Sequence, residues 1–191
     1  LRHRAGVALR ALHDTPCPPT LPLARKDFTG EVKATLQAGE HLAVLAPALY
    51  RILCTLLEQL QERYQRCPAV EPSFTHSDFK ADHLLVDREH LTLIDFDSCV
   101  RTDPAADVGK FLADLRWWHA LGSRFALPQA QAAFLTGYGI APSSTELARA
   151  CLYESLILAK STVRRLNLFD DQWLAQSQRL LAQAAQLLQQ H

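Results

Sequence analysis

The sequence predicts a mainly α chain with one small β-hairpin, and three observations carry that prediction. Apolar residues recur at helical spacing, most clearly between Glu40 and Arg66, where Leu42, Leu45, Leu49, Ile52, Leu53, Leu56, Leu57 and Leu60 follow one face. A strand pattern occurs at one place: the short apolar runs Leu84–Val86 and Leu91–Phe96 flank the polar segment Asp87-Arg88-Glu89-His90. Prolines and capping residues divide the rest into helix-length pieces.

The elements follow in order. Leu1–His13 reads as a helix with Ala5, Val7, Ala8, Ala11 and Leu12 apolar, ending before Asp14-Thr15-Pro16. Pro16, Pro18, Pro19 and Pro22 then impose an extended linker, because each proline disfavours helix in the residue before it. Phe28–Leu36 is a short helix with Thr29 as its expected cap. Pro47 falls inside the long 40–66 pattern, where it either kinks the helix or marks its true start. Pro68 and Pro72 lead into the hairpin, and beyond it the pattern is helical to the end. Ala105–His119 sets Val108, Phe111, Leu112, Leu115 and Trp118 on one face. Pro128–Tyr138 is closed by Gly139. Ser143-Ser144-Thr145-Glu146 is a capping box opening a helix that runs to about Arg165. That helix is apolar on most sides (Leu147, Cys151, Leu152, Leu156, Ile157, Leu158, Val163) and is therefore expected to be buried. Asp170 or Asp171 caps the last helix, with Leu174, Leu180, Leu181, Ala184 and Leu188 as its inner face. A lone hairpin is marginal in water, so this one must rest on the helices.

The 191 residues suit one domain or one large lobe, and a hydrophobic content of 48% supplies its core. The 20 basic and 20 acidic residues balance, which leaves no bulk field for nucleic acid or an anionic membrane. No apolar run reaches the roughly 20 residues of a membrane span. The five cysteines, at 17, 54, 67, 99 and 151, are scattered and form no Cys-x-x-Cys pair. That usage predicts a reducing, cytoplasmic setting, with thiols acting as small apolar side chains. Cys99, two residues from Asp97, is the one whose surroundings invite chemistry.

The polar cluster sits at the hairpin. Asp78 lies just before its first strand and Asp95 near the end of its second, and those two places share one end of an antiparallel pair. Two carboxylates there can serve a proton transfer and a metal ion together.

Three segments then bear on function: His76-Ser77-Asp78-Phe79-Lys80-Ala81-Asp82-His83, Leu93-Ile94-Asp95-Phe96-Asp97 and Asp103-Pro104-Ala105-Ala106-Asp107. Together they resemble the aminoglycoside phosphotransferase-like family, also called the choline/aminoglycoside kinase family. Its usual motifs are His-Gly-Asp-x-x-x-x-Asn, then Ile-Asp-Phe-Asp or Ile-Asp-Trp-Glu after a strand pair, then Asp-Pro-x-x-Asp opening a helix. Three motifs in this order and spacing are specific where any one alone is weak. The resemblance implies the C-terminal lobe of the protein-kinase-like α+β fold. Residues 1–191 would form that single lobe, with 75–87 as catalytic loop and 91–97 as metal strand.

It also implies an activity: ATP-dependent transfer of a γ-phosphoryl group to the hydroxyl of a small molecule. Asp78 would accept the hydroxyl proton and Asp95 would hold Mg2+. Lys80 would offset charge on the transferred group. Leu85 would lie under adenine, and His76, Asp97 and Asp107 would give structural support. His83 stands where the family usually has Asn as a second metal ligand. Mg2+ prefers oxygen ligands and imidazole suits Mn2+ better, so Mn2+ is the alternative ion.

The residues ahead of His76 read as helical and Pro-rich, and Gly6, Gly30 and Gly39 are isolated there. A kinase's Gly-rich phosphate loop and strand lysine are not found among them. The chain has no methionine and opens inside a helical pattern. The expectation is an N-terminal lobe upstream of Leu1, weak or no ATP turnover by the chain alone, and self-association through an exposed lobe face. The alternative is a non-catalytic kinase-like module that binds a ligand or partner. A third reading is a helical hydrolase using Asp78, His83 and Asp95 on zinc. The acceptor is not legible: Glu154, Asp170 and Asp171 are too sparse a set of carboxylates for a polycationic aminoglycoside.

Overall fold

The computed structural model describes residues 1–16, 22–88, 90–164 and 170–190. Cys17, Pro18, Pro19, Glu89 and the expected helix end at Arg165 lie outside the described residues. The chain begins with α1 (Arg2–Asp14), α2 (Phe28–Ala38), the single turn α3 (Leu42–Leu45) and α4 (Pro47–Gln65). Short strands follow: β1 (Ser73–Thr75), β2 (Leu84–Val86), β3 (Leu91–Leu93) and β4 (Val100–Thr102). Then come α5 (Ala105–Ala120), α6 (Leu127–Tyr138), α7 (Thr145–Arg164) and α8 (Trp173–Gln190). The protein is mostly helical, with small antiparallel strand pairs.

Pro47 marks a start, not a kink. It occupies the first turn of α4, where its missing N–H has no helical partner to lose. Asp27, not Thr29, caps α2: its carboxylate accepts the Gly30 N–H at 2.7 Å. Thr29 already lies inside the helix, where its hydroxyl accepts from Gln61 Nε2 at 2.9 Å. Ser144, one residue past the expected Ser143, accepts the Leu147 N–H at 3.1 Å. Asp170 accepts the Gln172 N–H at 2.8 Å just ahead of α8. Gly139 closes α6 with φ of 93°, a conformation that suits a residue without Cβ.

Strands β2 and β3 form the predicted hairpin, with Leu84 opposite Leu93 and Val86 opposite Leu91. The second strand stops at Leu93, short of Phe96. Asp95 takes a left-handed φ of 69°, and Phe96–Ser98 winds into a 3-10 turn. A second antiparallel pair, β1 with β4, sets Phe74 opposite Arg101. Three residues per strand show too little alternation for a sequence pattern to reveal it. This pair clamps together the two ends of the segment 76–99, which carries the polar cluster.

Helix α7 is central: it packs against α5 and α8 and also meets α2 and α4. It is buried along most of its length, as its apolar pattern requires. Helix α1 lies across α6. At their crossing a Cβ on Gly6 would strike the Phe134 carbonyl, and one on Gly137 would strike the His3 carbonyl. Phe79, Phe111 and Phe134 are buried together, with ring centroids 4.3 to 6.3 Å apart. Burying one such ring is worth about 1.5–3 kcal/mol, so Phe79 anchors its neighbour Asp78 to the core. Four expected core residues face outward instead: Val7, Leu45, Ile52 and Leu174 are each at least 40% exposed. Leu187 takes an inner place on α8. Among the described residues no helix is long and apolar enough to cross a membrane.

Candidate active site

The site is built on the turn between β1 and β2 and on the chain leaving β3. Ser77 has φ of 67°, a left-handed conformation that strains an L-residue and that the resembling motif gives to Gly. Asp107, in the first turn of α5, holds it there. Its buried carboxylate accepts the His76 N–H through Oδ2 and the Ser77 N–H through Oδ1, each at 2.7 Å. Oδ2 also lies 3.1 Å from His13 Nε2. A carboxylate can only accept, so Nε2 is the donor. His13 Nδ1 lies 2.7 Å from the Tyr138 hydroxyl. The connected set Tyr138, His13 and Asp107 therefore ties α6, α1 and α5 to the loop. Asp103 prepares α5 by accepting the Ala105 N–H at 2.9 Å, and it pairs with Arg149 of α7 at 3.1 Å.

His76 braces the loop from the other side. Its Nε2 donates to the Ile94 carbonyl at 2.9 Å, and its Nδ1 faces the Asp78 N–H at 3.4 Å. One ring thus connects Asp78 to the residue before Asp95.

These restraints bring Asp78, His83 and Asp95 together, with one ligand atom of each within 4.8 Å of the others. His83 Nε2 lies 2.9 Å from Asp95 Oδ2, and Nδ1 lies 3.9 Å from Asp78 Oδ2. Nδ1 is buried and has no hydrogen-bond partner among the described residues. An imidazole between two carboxylates, with one ring nitrogen unpartnered, fits a divalent cation. The mixed nitrogen and oxygen donors suit Mn2+ better than Mg2+.

Asp78 Oδ2 accepts from Lys80 Nζ at 2.9 Å, and Oδ1 pairs with Lys110 Nζ at 3.0 Å. Burial pushes the Asp78 carboxyl up, but the two lysines outweigh it and hold it below the ordinary 3.8. Asp78 is therefore ionised at neutral pH, able to take a proton and to face a cation.

Other expected residues stand apart. Asp97 is exposed, with Ser98 Oγ at 3.4 Å from its carboxylate, and it does not join the cluster. Leu85 is 55% exposed on the hairpin. Burial, then the Asp107 and Asp97 charges, push the Cys99 thiol up to about 11, which removes it as a nucleophile at neutral pH. Glu154 is buried, accepting from Arg116 at 2.8 Å and Gln131 at 3.0 Å, so it cannot meet an acceptor. Two residues were missed in the sequence. A lone lysine such as Lys110 reads as a solvated charge. Its signal was its place three residues after Asp107, on the same helix face. His13 carries no local signal, since its partner Asp107 is 94 residues away.

A cavity of about 220 Å3 opens beside Asp78, walled by Ser77, Lys110, Tyr153, Ile157 and Lys160 among others.

A helical lobe with this loop and strand arrangement has the kinase-like fold. Residues 2–148 match the phosphotransferase enzyme family, and the chain belongs to that family. Its structure is similar to a choline/ethanolamine kinase family protein from Mesorhizobium loti, with a TM-score of 0.68 at 19% identity, over 98% of this chain and 62% of that one. It is similar to aminoglycoside 2'-phosphotransferase-IIIa in its GDP complex, with a TM-score of 0.64 at 19% identity, over 96% of this chain and 62% of that one. It is also similar to an amicoumacin kinase in complex with AMP-PNP and Ca2+, with a TM-score of 0.68 at 13% identity, over 97% of this chain and 57% of that one. At these identities the likeness is one of fold. The chain spans about three fifths of the length of these relatives. No curated protein sequence matches it significantly.

Proposed function

We propose that the chain is the catalytic lobe of a phosphotransferase that moves the γ-phosphoryl group of ATP to a hydroxyl of a small molecule. One observation carries this reading: Asp78, flanked by Lys80 and Lys110, lies within ligand distance of His83 and Asp95. Asp78 takes the acceptor's proton as its oxygen bonds to the γ-phosphorus. The bond from that phosphorus to the bridging oxygen breaks, and ADP leaves with the electron pair. Lys80 and Lys110 offset the negative charge that develops on the phosphoryl oxygens. Asp95 and His83 would hold a divalent ion, Mg2+ or Mn2+, which would supply positive charge against the phosphates. Asp107 and His76 keep Asp78 aimed, and Leu85 offers an apolar surface to adenine. The 191 residues make one lobe in this reading, in keeping with the share of its relatives' length that the chain spans.

Mn2+ binding to the chain in the presence of ATP, read by electron paramagnetic resonance, tests the metal assignment. Asp95→Asn should weaken it by about tenfold or more; equal binding by both proteins would sink the assignment. Phosphate transfer, read by 31P NMR, tests the chemistry. Asp78→Asn should slow it at least about 100-fold. Weak or no transfer by the 191 residues alone is in keeping with a single lobe; a two-lobed protein that binds Mn2+ and ATP but transfers nothing would favour a kinase-like binding module instead.

A further inference from the structure

The cavity beside Asp78 has a charge pattern that the transfer chemistry does not use. Lys26, Lys110, Lys160 and Arg164 line it, as do Asp27, Glu31, Asp78 and Asp107. The numbers balance, but the engagements do not. Asp107 is turned inward to two backbone N–H groups and His13. Asp27 caps α2 and faces the positive end of that helix. Lys110 pairs with Asp78, and Lys160 pairs with Glu31. Lys26 and Arg164 make no ion pair among the described residues. Burial raises the Glu31 carboxyl, but the Lys160 hydrogen bond and the charges of Lys160, Lys26 and Arg164 outweigh it, so three cations surround one carboxylate. Around Glu31 the lining of the cavity therefore has a positive excess.

We infer that the phosphate acceptor is itself an anion: a small hydroxylated molecule with a carboxylate or phosphate group, held by Lys26 and Arg164 while its hydroxyl faces Asp78. This inference rests on the phosphotransferase reading and names its substrate class. The same excess of positive charge repels a polycation. A negative group several ångströms from the hydroxyl suits a cavity of about 220 Å3, which holds a molecule of roughly sugar size.

Isothermal titration of the chain with gluconate, glucose 6-phosphate, glucose and kanamycin tests it. At least one of the two anions should bind about tenfold or more tightly than glucose, and the tighter of the two identifies carboxylate or phosphate. That affinity should fall with rising salt while glucose binding does not. Lys26→Ala with Arg164→Ala should abolish the preference; both side chains are exposed, and an unchanged unfolding midpoint confirms the fold. The milder pair Lys26→Gln and Arg164→Gln serves should the first not fold. Glucose binding as well as both anions, kanamycin binding more tightly than either, no anion binding at millimolar concentration, or a preference that survives the double substitution would each overturn the inference. The Asp95-dependent Mn2+ signal keeps the two readings apart. Its presence without anion preference removes this inference alone; the reverse removes the phosphotransferase reading, and with it the acceptor role, leaving an anion site only.

Discussion

Ser77 occupies a backbone region that costs an L-residue about 1–2 kcal/mol, and the hydrogen bonds that its own N–H and that of His76 donate to the Asp107 carboxylate hold it there. Gly tolerates that φ and a β-branched residue does not. Ser77→Gly should therefore leave stability within about 1 kcal/mol, while Ser77→Val should cost about 1–3 kcal/mol in denaturant unfolding. Equal stability of the two variants would show that the strain is not there. Cys99 offers a second measurement: with its thiol raised to about 11, it should react with disulfide reagents at pH 8 far more slowly than a free thiol. Rapid labelling of Cys99, located by mass spectrometry, would contradict this. At this scale the sequence was most legible where chemistry follows a motif. Asp78, His83 and Asp95 were marked as candidates because their spacing is their signal, and the structure sets them in one cluster. Asp97 fits the same motif, yet it faces solvent, because Asp95 turns the chain before it. Motif spacing reports chain position, and it does not report which way a side chain leaves a left-handed residue.

Among the elements, the crossing of α1 and α6 depends most on residue size. Gly6 and Gly137 let the two backbones touch, so an added methyl must push the helices apart. Alanine normally favours a helix over glycine by about 1 kcal/mol. Gly6→Ala should nonetheless destabilise, by about 1–3 kcal/mol, because overpacking outweighs that gain. A raised melting temperature would show that the helices are not in contact. Helix existence and type were legible except at the single turn α3, which the 40–66 pattern runs into α4, since periodicity over several turns survives small errors. Helix starts were less so. Thr29 and Asp27 can both cap, and so can Ser143 and Ser144. Gln61, on another helix, engages the Thr29 hydroxyl, a tertiary choice that local sequence does not carry. The strands β1 and β4 pair across the whole site segment, so neither has a local partner to announce it.

Across the whole molecule, charge pairs connect elements that are distant in sequence. Glu31 of α2 and Lys160 of α7 form one such tie. Burial raises the Glu31 carboxyl, but Lys160 and its neighbours bring it below the ordinary 4.5. A carboxyl lowered on folding stabilises above its unfolded value, and that contribution is lost as pH falls through the folded value. The denaturant midpoint should therefore drop below about pH 4.5, and less steeply in Lys160→Ala than in the wild type. Parallel pH profiles would remove this pair as the cause. The lobe-level reading came from three motifs in order, which is information spread along the chain. The cavity was not legible, because Lys26, Lys110 and Lys160 meet there only after α2, α5 and α7 have packed. The same dependence on assembly has a kinetic consequence at Asp107. The His76 and Ser77 amides are bonded to a carboxylate that His13 of α1 and Tyr138 of α6 hold in place. Fraying of the first helix would loosen both amides, although they lie more than sixty residues further along. Hydrogen–deuterium exchange at these two amides should track exchange in α1, not exchange in the adjacent hairpin, making the loop and the first helix one cooperative unit.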